Sequence, residues 1–327
     1  MSSPSRAATL ARHELRTATR SRLLVVLAAI LVLVTVVSVY VGAVDYRSQI
    51  ADYNAYLQAA SASGVTQLPP PPLRLLSLLR GAMEYLEIIG AVIGIALGYL
   101  SVTRERANRT LPLLRTRPVS TRELAAGSFL GAAAVLGILL ATTAAAAVLC
   151  LGIIGHGWVD GGQAVKLFLA YFAALLYLLT FYCLGVIATA RSKTGANGLM
   201  VALAVWLAVV LVLPQIGDTL DADNQVPGGL FAALGLNLSG ETAVLSHFAL
   251  YENIRTGLEE ISLAKHFERF AFALTDIPNE YQGFSLGQLL VAKRNDIIWL
   301  VVGVLALGAG LLRALRRQPV TTTGGQS

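Results

Sequence analysis

Six long apolar runs, separated by short polar segments, set the pattern of this chain. Leu23–Val44, Tyr85–Val102, Leu124–Ile154, Ala164–Ala190, Asn197–Ile216 and Ile297–Leu312 each approach or exceed the roughly 20 apolar residues of helix that a hydrocarbon core requires. The pattern predicts an all-α polytopic membrane protein with six transmembrane helices. The third run is long enough to tilt or to project past the lipid. The sixth is short, with Trp299 and Arg313 as interfacial anchors. The first run exceeds a usual secretory h-region and no small-residue cleavage pattern follows before Asp45, so it is expected to stay in the protein.

The polar segments carry periodicities of their own. In residues 1–22, Ala7, Leu10, Ala11, Leu15 and Ala18 fall at helical spacing while Arg12, Arg16 and Arg20 recur every four residues on another face. Such a basic amphipathic helix lies at a membrane surface with its cations near anionic headgroups, or serves simply as a juxtamembrane anchor. Within the insert 45–84, Tyr46, Ile50, Tyr53 and Leu57 predict that the first helix continues beyond the membrane and stops near Gly64, before the stiff segment Pro69–Pro72. The region 217–296 is predicted to be helical and extracytoplasmic, partly re-entrant. Leu230–Leu238 is apolar enough to dip into a leaflet, and Thr242–Thr256 and Leu258–Thr275 read as two helices broken at Gly257. The sixth span and its edge occupy 297–315, and 316–327 form a tail.

Composition strengthens the membrane reading. Only 13% of 327 residues are charged, and the mean hydropathy is +0.66, too apolar for the surface of a soluble domain of this size. Charge then orients the chain. The N-terminal segment, 103–123, the loop with Arg191 and Lys193, and the C-terminal end hold 16 of the 25 cations and only Glu14, Glu105 and Glu123 among the acids. That is a net +13 on one side against −7 on the other. The positive-inside rule places both termini in the cytoplasm of a plasma membrane, with a prokaryotic setting expected. The overall +6 therefore reports topology, and no nucleic-acid partner is expected.

Soluble-enzyme chemistry is not written in the chain. No G-x-x-x-x-G-K-[ST] occurs, and Ser192-Lys193-Thr194-Gly195 lacks the glycines that bring backbone N–H groups to phosphates. There is no G-x-S-x-G, H-E-x-x-H or paired C-x-x-C, and Cys150 and Cys183 read as apolar packing residues. His247 with Tyr251 and Glu252, and His266 with Glu268, lack metal-ligand spacing, so no metal and no cofactor is expected in this chain. Asn237-Leu-Ser239 fits a glycosylation sequon. Glu87 is an ionisable group near the outer end of the second span, read either as a proton relay or as a paired interfacial carboxylate. Gly90, Gly94 and Gly98 put three side-chain-free positions on one helix face. They suit close packing within the bundle or across a dimer axis.

The stretch Thr103–Glu123 has the most content. Leu111, Leu113 and Leu114 form an apolar patch framed by Arg109, Arg115 and Arg117; Pro118 forces a break, and Ser120 with Glu123 has capping-box spacing. A hydrophobic and cationic knob of this kind suits an acidic-rimmed groove on a partner; the alternative is a loop whose arginines only enforce topology. The run Glu105-x-x-x-Arg109-Thr110-Leu111-x-x-Leu114-x-x-x-Pro118-Val119-Ser120-Thr121-Arg122 resembles the cytoplasmic segment of ABC-2 type (type V exporter-like) permeases, approximately E-x-x-x-G-T-L-x-x-L-L-x-x-P-[VI]-S-R. Leu263-Ala-Lys-His266-Phe-Glu-Arg-Phe270 looks like permeases of the nitrous-oxide-reductase-maturation type. The resemblance implies a permease subunit, itself no enzyme, in which Arg104, Glu105, Arg109, Thr110, Leu111, Leu114, Arg115, Arg117, Pro118, Val119, Ser120 and Arg122 contact cytoplasmic ABC ATPase subunits. ATP and Mg would sit on those subunits. It further implies a permease homodimer and an output that is either export or mechanical work on an extracytoplasmic protein. The chain departs from the family at Arg109, where Gly is usual, at Ala107, and at Gly127-Ser128, where Gly-Lys is common. Two other classes remain open: an ion- or proton-coupled secondary transporter, which calls for intramembrane charges, and a membrane scaffold or sensor.

Overall fold

The computed structural model describes residues 16–17, 20–62, 74–107, 121–153, 157–220, 230–235, 240, 244–246, 249–277, 281 and 283–316, and among these all regular structure is helical. Six helices are long and apolar enough to cross a membrane. They are α1 (Arg22–Ala62), α2 (Arg80–Ala107, entered through the 3₁₀ turn Leu75–Leu79), α3 (Thr121–Ile153), α4 (Gly161–Arg191), α5 (Gly195–Leu220) and α10 (Arg294–Arg316). Between α5 and α10 lie the single turn α6 (Leu230–Ala233), α7 (Ala249–Ile261), α8 (Leu263–Leu274) and the short α9 (Leu286–Ala292). Each expected span is present, and most helices overrun their apolar run by a few residues at either end.

Consecutive spans run antiparallel. One end of the bundle, the basic end, carries Arg22, Arg104, Arg106, Arg191, Lys193 and Arg313 at or near helix termini. The other is called the hairpin end. Helix α1 is the longest element, with 41 residues and a length of about 62 Å, twice a hydrocarbon core of roughly 30 Å. Its tyrosine-bearing extension runs without interruption to Ala62.

Helices α2 and α4 form the heart of the bundle. In each, 67% of the apolar window is buried, against 22% or less in α1, α5 and α10. Tyr177, Leu178, Phe181, Tyr182 and Cys183 on α4 are all buried. Tyr177 meets the Phe181 ring edge-on and stacks on Phe267 of α8, both at 4.9 Å between centroids. Hydroxyls that apolar packing would orphan bond back along their own helices: Thr143 Oγ1 donates to the Leu140 carbonyl at 2.9 Å and Thr180 Oγ1 to that of Leu176 at 3.0 Å. The Asp160–Gln163 capping box starts α4, each side chain bonding the other residue's backbone N–H. The lightly covered helices instead expose Leu33 and Val37, Met200 and Val201, and Val302 and Leu305, as surfaces facing lipid do.

Helices α7 and α8 form a hairpin, and the break between them is Ser262 rather than the expected Gly257. Gly257 lies within α7 with open space where a side chain would be. Glycine only weakens a helix, whereas Ser262 leaves helical geometry and accepts the Lys265 N–H as N-cap of α8. The tip enters the bundle. Ser262 Oγ donates to the carbonyl of Val209 in α5 at 2.9 Å, and a side chain added at Gly303 of α10 would touch Leu263 and Thr180. Val209 is about 21 Å along α5 from Gly195, and Thr180 about 16 Å along α4 from Arg191, so the tip reaches roughly the middle of the span.

The sequence of α5 makes room for that contact. Residues Leu207–Val212 form a π-helical segment in which the Leu213 N–H reaches back to Ala208, and Pro214 has no N–H to offer. The Val209 carbonyl is thus bypassed by its own helix and taken by Ser262, which satisfies a backbone acceptor that would otherwise be stranded. The apolar turn expected to dip into a leaflet is described only at Leu230–Ala233, where Phe231 is buried; the rest of Leu230–Leu238 beyond Gly235 lies outside the described residues.

Candidate functional site

At the basic end, the last turn of α2 is tied to the α4–α5 connection. Arg106 donates from Nη2 to the carbonyl of Ala190 at 3.0 Å and from Nη1 to that of Ser192 at 3.3 Å. These carbonyls close α4, where backbone acceptors lack helical partners and the helix dipole favours a cation. Thr194 then caps α5 by accepting the Asn197 N–H. A side chain added at Gly195 would strike Thr103 of α2 at 2.6 Å, and one added at Gly198 would lie 2.9 Å from the Thr189 nitrogen. The ends of α2, α4 and the start of α5 therefore meet as one block. Arg106 stands directly before segment 108–120.

The predicted coupling residues divide accordingly. Arg104 continues α2, its Nε donating to the Leu100 carbonyl at 2.9 Å, while its buried Nη2 has no hydrogen-bond partner among the described residues. Glu105 also lies in α2, and Arg122 in the first turn of α3. Arg109, Thr110, Leu111, Leu114, Arg115, Arg117, Pro118, Val119 and Ser120 lie outside the described residues, as does Arg12; Arg16 and Arg20 are exposed just before α1. Arg106 is absent from the motif-derived set, because its partners are more than 80 positions away in the sequence. Arg191 and Lys193 are exposed at the same end.

The glycine face of α2 is occupied within the chain. A Cβ at Gly90 would sit 3.0 Å from Leu178 Cδ1, one at Gly94 2.6 Å from the Leu178 carbonyl oxygen, and one at Gly98 2.8 Å from the Val186 nitrogen. Gly185 of α4 returns the approach, since a Cβ there would lie 2.6 Å from the Ile95 carbonyl. Two backbones meet with no side chain between them, which leaves these glycines no room for a second copy. Beside this seam, Ser128 of α3 shares a hydrogen bond with Tyr182 at 2.5 Å and lies 3.3 Å from Ser101 Oγ. The position where the resemblance leads one to expect Lys is thus part of a hydroxyl cluster.

The hairpin end carries a dense charged network near the end of α5 and the start of α10. Arg269 bonds Glu260 and Glu259, each at 3.0 Å; Asn295 donates to Glu260 at 3.2 Å; and Lys265 pairs with Glu268 at 3.0 Å and Asp218 at 3.2 Å. His266 is fully buried, Nδ1 lying 2.7 Å from Asp296 and Nε2 3.0 Å from the Glu260 carbonyl. Glu87 is buried on α2, facing the charges of Glu268 and Lys265. Most of these charges pair with one another and brace α7, α8 and α10 together, as buried ions must when they lack water. The stretch Leu263–Phe270 contributes Ala264, His266, Phe267 and Phe270 to the interior, so its apolar side is a packing surface. No three His, Cys, Asp or Glu side chains among the described residues converge as a metal shell.

A bundle with six helices long and apolar enough to cross a membrane, a basic end bracketed by Arg106 and a helical hairpin opposite, is a polytopic membrane protein. The family model described as ABC-2 family transporter protein matches residues 8–317, and the chain belongs to that family. It is the transmembrane component of an ABC transporter, not its ATPase, in a family that generally partners with cytoplasmic ABC ATPase subunits. No curated protein matches the chain.

Proposed function

We propose that this chain is one of two identical permease subunits driven by two separate cytoplasmic ATPase chains, which bind ATP and Mg. The basic end faces the cytoplasm, and segment 103–123 is the contact through which the ATPases act. The observation that carries this reading is the Arg106 bracket, which joins the root of that segment to the last carbonyls of α4. A push on the segment passes directly into α4 and α5. Through the close α2–α4 seam it moves the centre of the bundle rather than a flexible loop. The resemblance of Leu263–Phe270 to permeases of the nitrous-oxide-reductase-maturation type supports mechanical work on an outer-face protein as an output beside export.

The test is co-purification of the chain with its ATPase. Wild type is expected to retain a Walker-motif subunit and to change that subunit's hydrolysis rate. L114D combined with R117E is expected to lose both while the permease stays folded. Undiminished capture by the double variant would place the contact elsewhere; transport in vesicles that contain no ATPase would replace the reading with ion-coupled transport.

A further inference from the structure

The arrangement around His266 asks for a proton. Nδ1 faces the Asp296 carboxylate at 2.7 Å and Nε2 faces the Glu260 carbonyl at 3.0 Å. Both partners are acceptors, so a neutral imidazole, with one N–H and one lone pair, satisfies only one of them. In either tautomer the bare nitrogen points its lone pair at an oxygen, in a site closed to water. With Arg269 and Lys293 each 3.9 Å from Asp296 and favouring its carboxylate form, only the ring carrying a proton on each nitrogen makes both bonds.

Charge leads to the same state. From α7 the network receives Glu252, Glu259, Glu260 and Arg255; from α8, Arg269; from the start of α10, Asp296, preceded by Lys293. The Asp296 carboxylate, 2.7 Å from the ring, is the charge that an imidazolium neutralises directly. Lys265 also pairs with Glu268 and Asp218, with Glu87 of α2 facing them. Trp299 of α10 stacks on the His266 ring at 5.3 Å between centroids and 13° between planes, presenting its π face to that charge.

We propose that His266 is a buried proton-binding site whose bound proton latches the hairpin to α10. The ring belongs to α8 and its two partners to α7 and α10, so the proton joins all three helices. Its loss leaves the polar ties between α10 and the hairpin, among the described residues, to the Arg269–Asp296 pair at 3.9 Å and to Asn295. The proposal stands whether or not the chain is driven by an ATPase, since it concerns the hairpin alone.

The charge state is read directly by nuclear magnetic resonance. The full chain is labelled with ¹⁵N-histidine, with H13Q, H156Q and H247Q leaving His266 as the only reporter, and placed in phospholipid nanodiscs at pH 7. Two proton-bearing ring nitrogens are expected; one protonated and one bare nitrogen would overturn the proposal. The latch is read by amide hydrogen exchange over residues 262–270. H266Q is expected to raise exchange by about tenfold or more, the cost of a lost buried hydrogen bond, whereas equal exchange in wild type and variant rejects the latch. Should H266Q not fold, alkaline titration of the wild type decides the matter. After correction for intrinsic rates, exchange should rise as the second ring proton leaves, and exchange that stays constant through that step refutes it.

Discussion

Replacing Gly98 by Ala tests the α2–α4 seam. The added methyl would lie 2.8 Å from the Val186 nitrogen and closer still to the Tyr182 carbonyl oxygen. Ordinary contact begins near 3.4 Å, so at least 0.6 Å of separation is missing, and the obstacle is backbone that no rotamer change can move aside. Overpacking typically costs about 1–3 kcal/mol, and a rigid obstacle places this site near the top of that range. Alanine returns about 1 kcal/mol of helix propensity, leaving a net loss of about 2 kcal/mol. Gly137 of α3 is the internal control, since its Cβ would meet nothing within 4 Å; G137A gains about 1 kcal/mol from propensity alone. In detergent, with on the order of 2 °C per kcal/mol for a chain of this size, G98A should melt about 4 °C below wild type and G137A about 2 °C above. Equal melting of the two variants would refute the seam. A G98A defect seen only as dissociation of a dimer, with the monomer's melting unchanged, would move these glycines to a subunit interface.

The α5–hairpin contact predicts a double-mutant cycle: S262A strands the Val209 carbonyl and costs about 1–3 kcal/mol, while in a P214A background the new N–H supplies a substitute and the cost of S262A falls, so purely additive melting shifts would contradict the mechanism. R106A should leave ATPase capture intact and uncouple it, visible as a loss of permease-dependent stimulation of hydrolysis, with R106K recovering part of the effect; stimulation unchanged in R106A removes the bracket from the coupling path. D160A removes the side chain that caps α4 and should cost about 1 kcal/mol of thermal stability, with D160N recovering most of it in the same melting assay.

The spans were readable because lipid imposes a simple rule: a run near 20 residues, nearly free of charge, has few alternatives. The hairpin was not readable by that rule. Glu259, Glu260, Lys265, His266, Glu268 and Arg269 look external one at a time; in the fold Arg269 pairs with Glu259 and Glu260 and Lys265 with Glu268 inside the hairpin, while Asp218 of α5 meets Lys265 and Asp296 of α10 meets His266. The signal that was present is the stripe Leu263, Phe267, Phe270 and Leu274, whose helical spacing marks an inward face. Gly257 drew the helix break by propensity, whereas the break follows Ser262, whose hydroxyl has a carbonyl to reach across the bundle. The glycines of α2 announced a close approach but not its partner, because a stripe of small residues has the same appearance whatever packs on it. Arg106 read as one more topological arginine, since its meaning depends on two carbonyls far along the chain.

The length of α1 has a mechanical consequence. With 41 residues in one helix and the bilayer covering about half of it, the far end stands about 47 Å from a pivot at mid-membrane. A tilt of 10° at the pivot sweeps that end through about 8 Å, while the buried half moves less than about 3 Å. Helix α1 is thus a lever: small rearrangements among tightly packed spans emerge at Ala62 several times enlarged, in a helix stiff enough to deliver them to whatever rests against its tip.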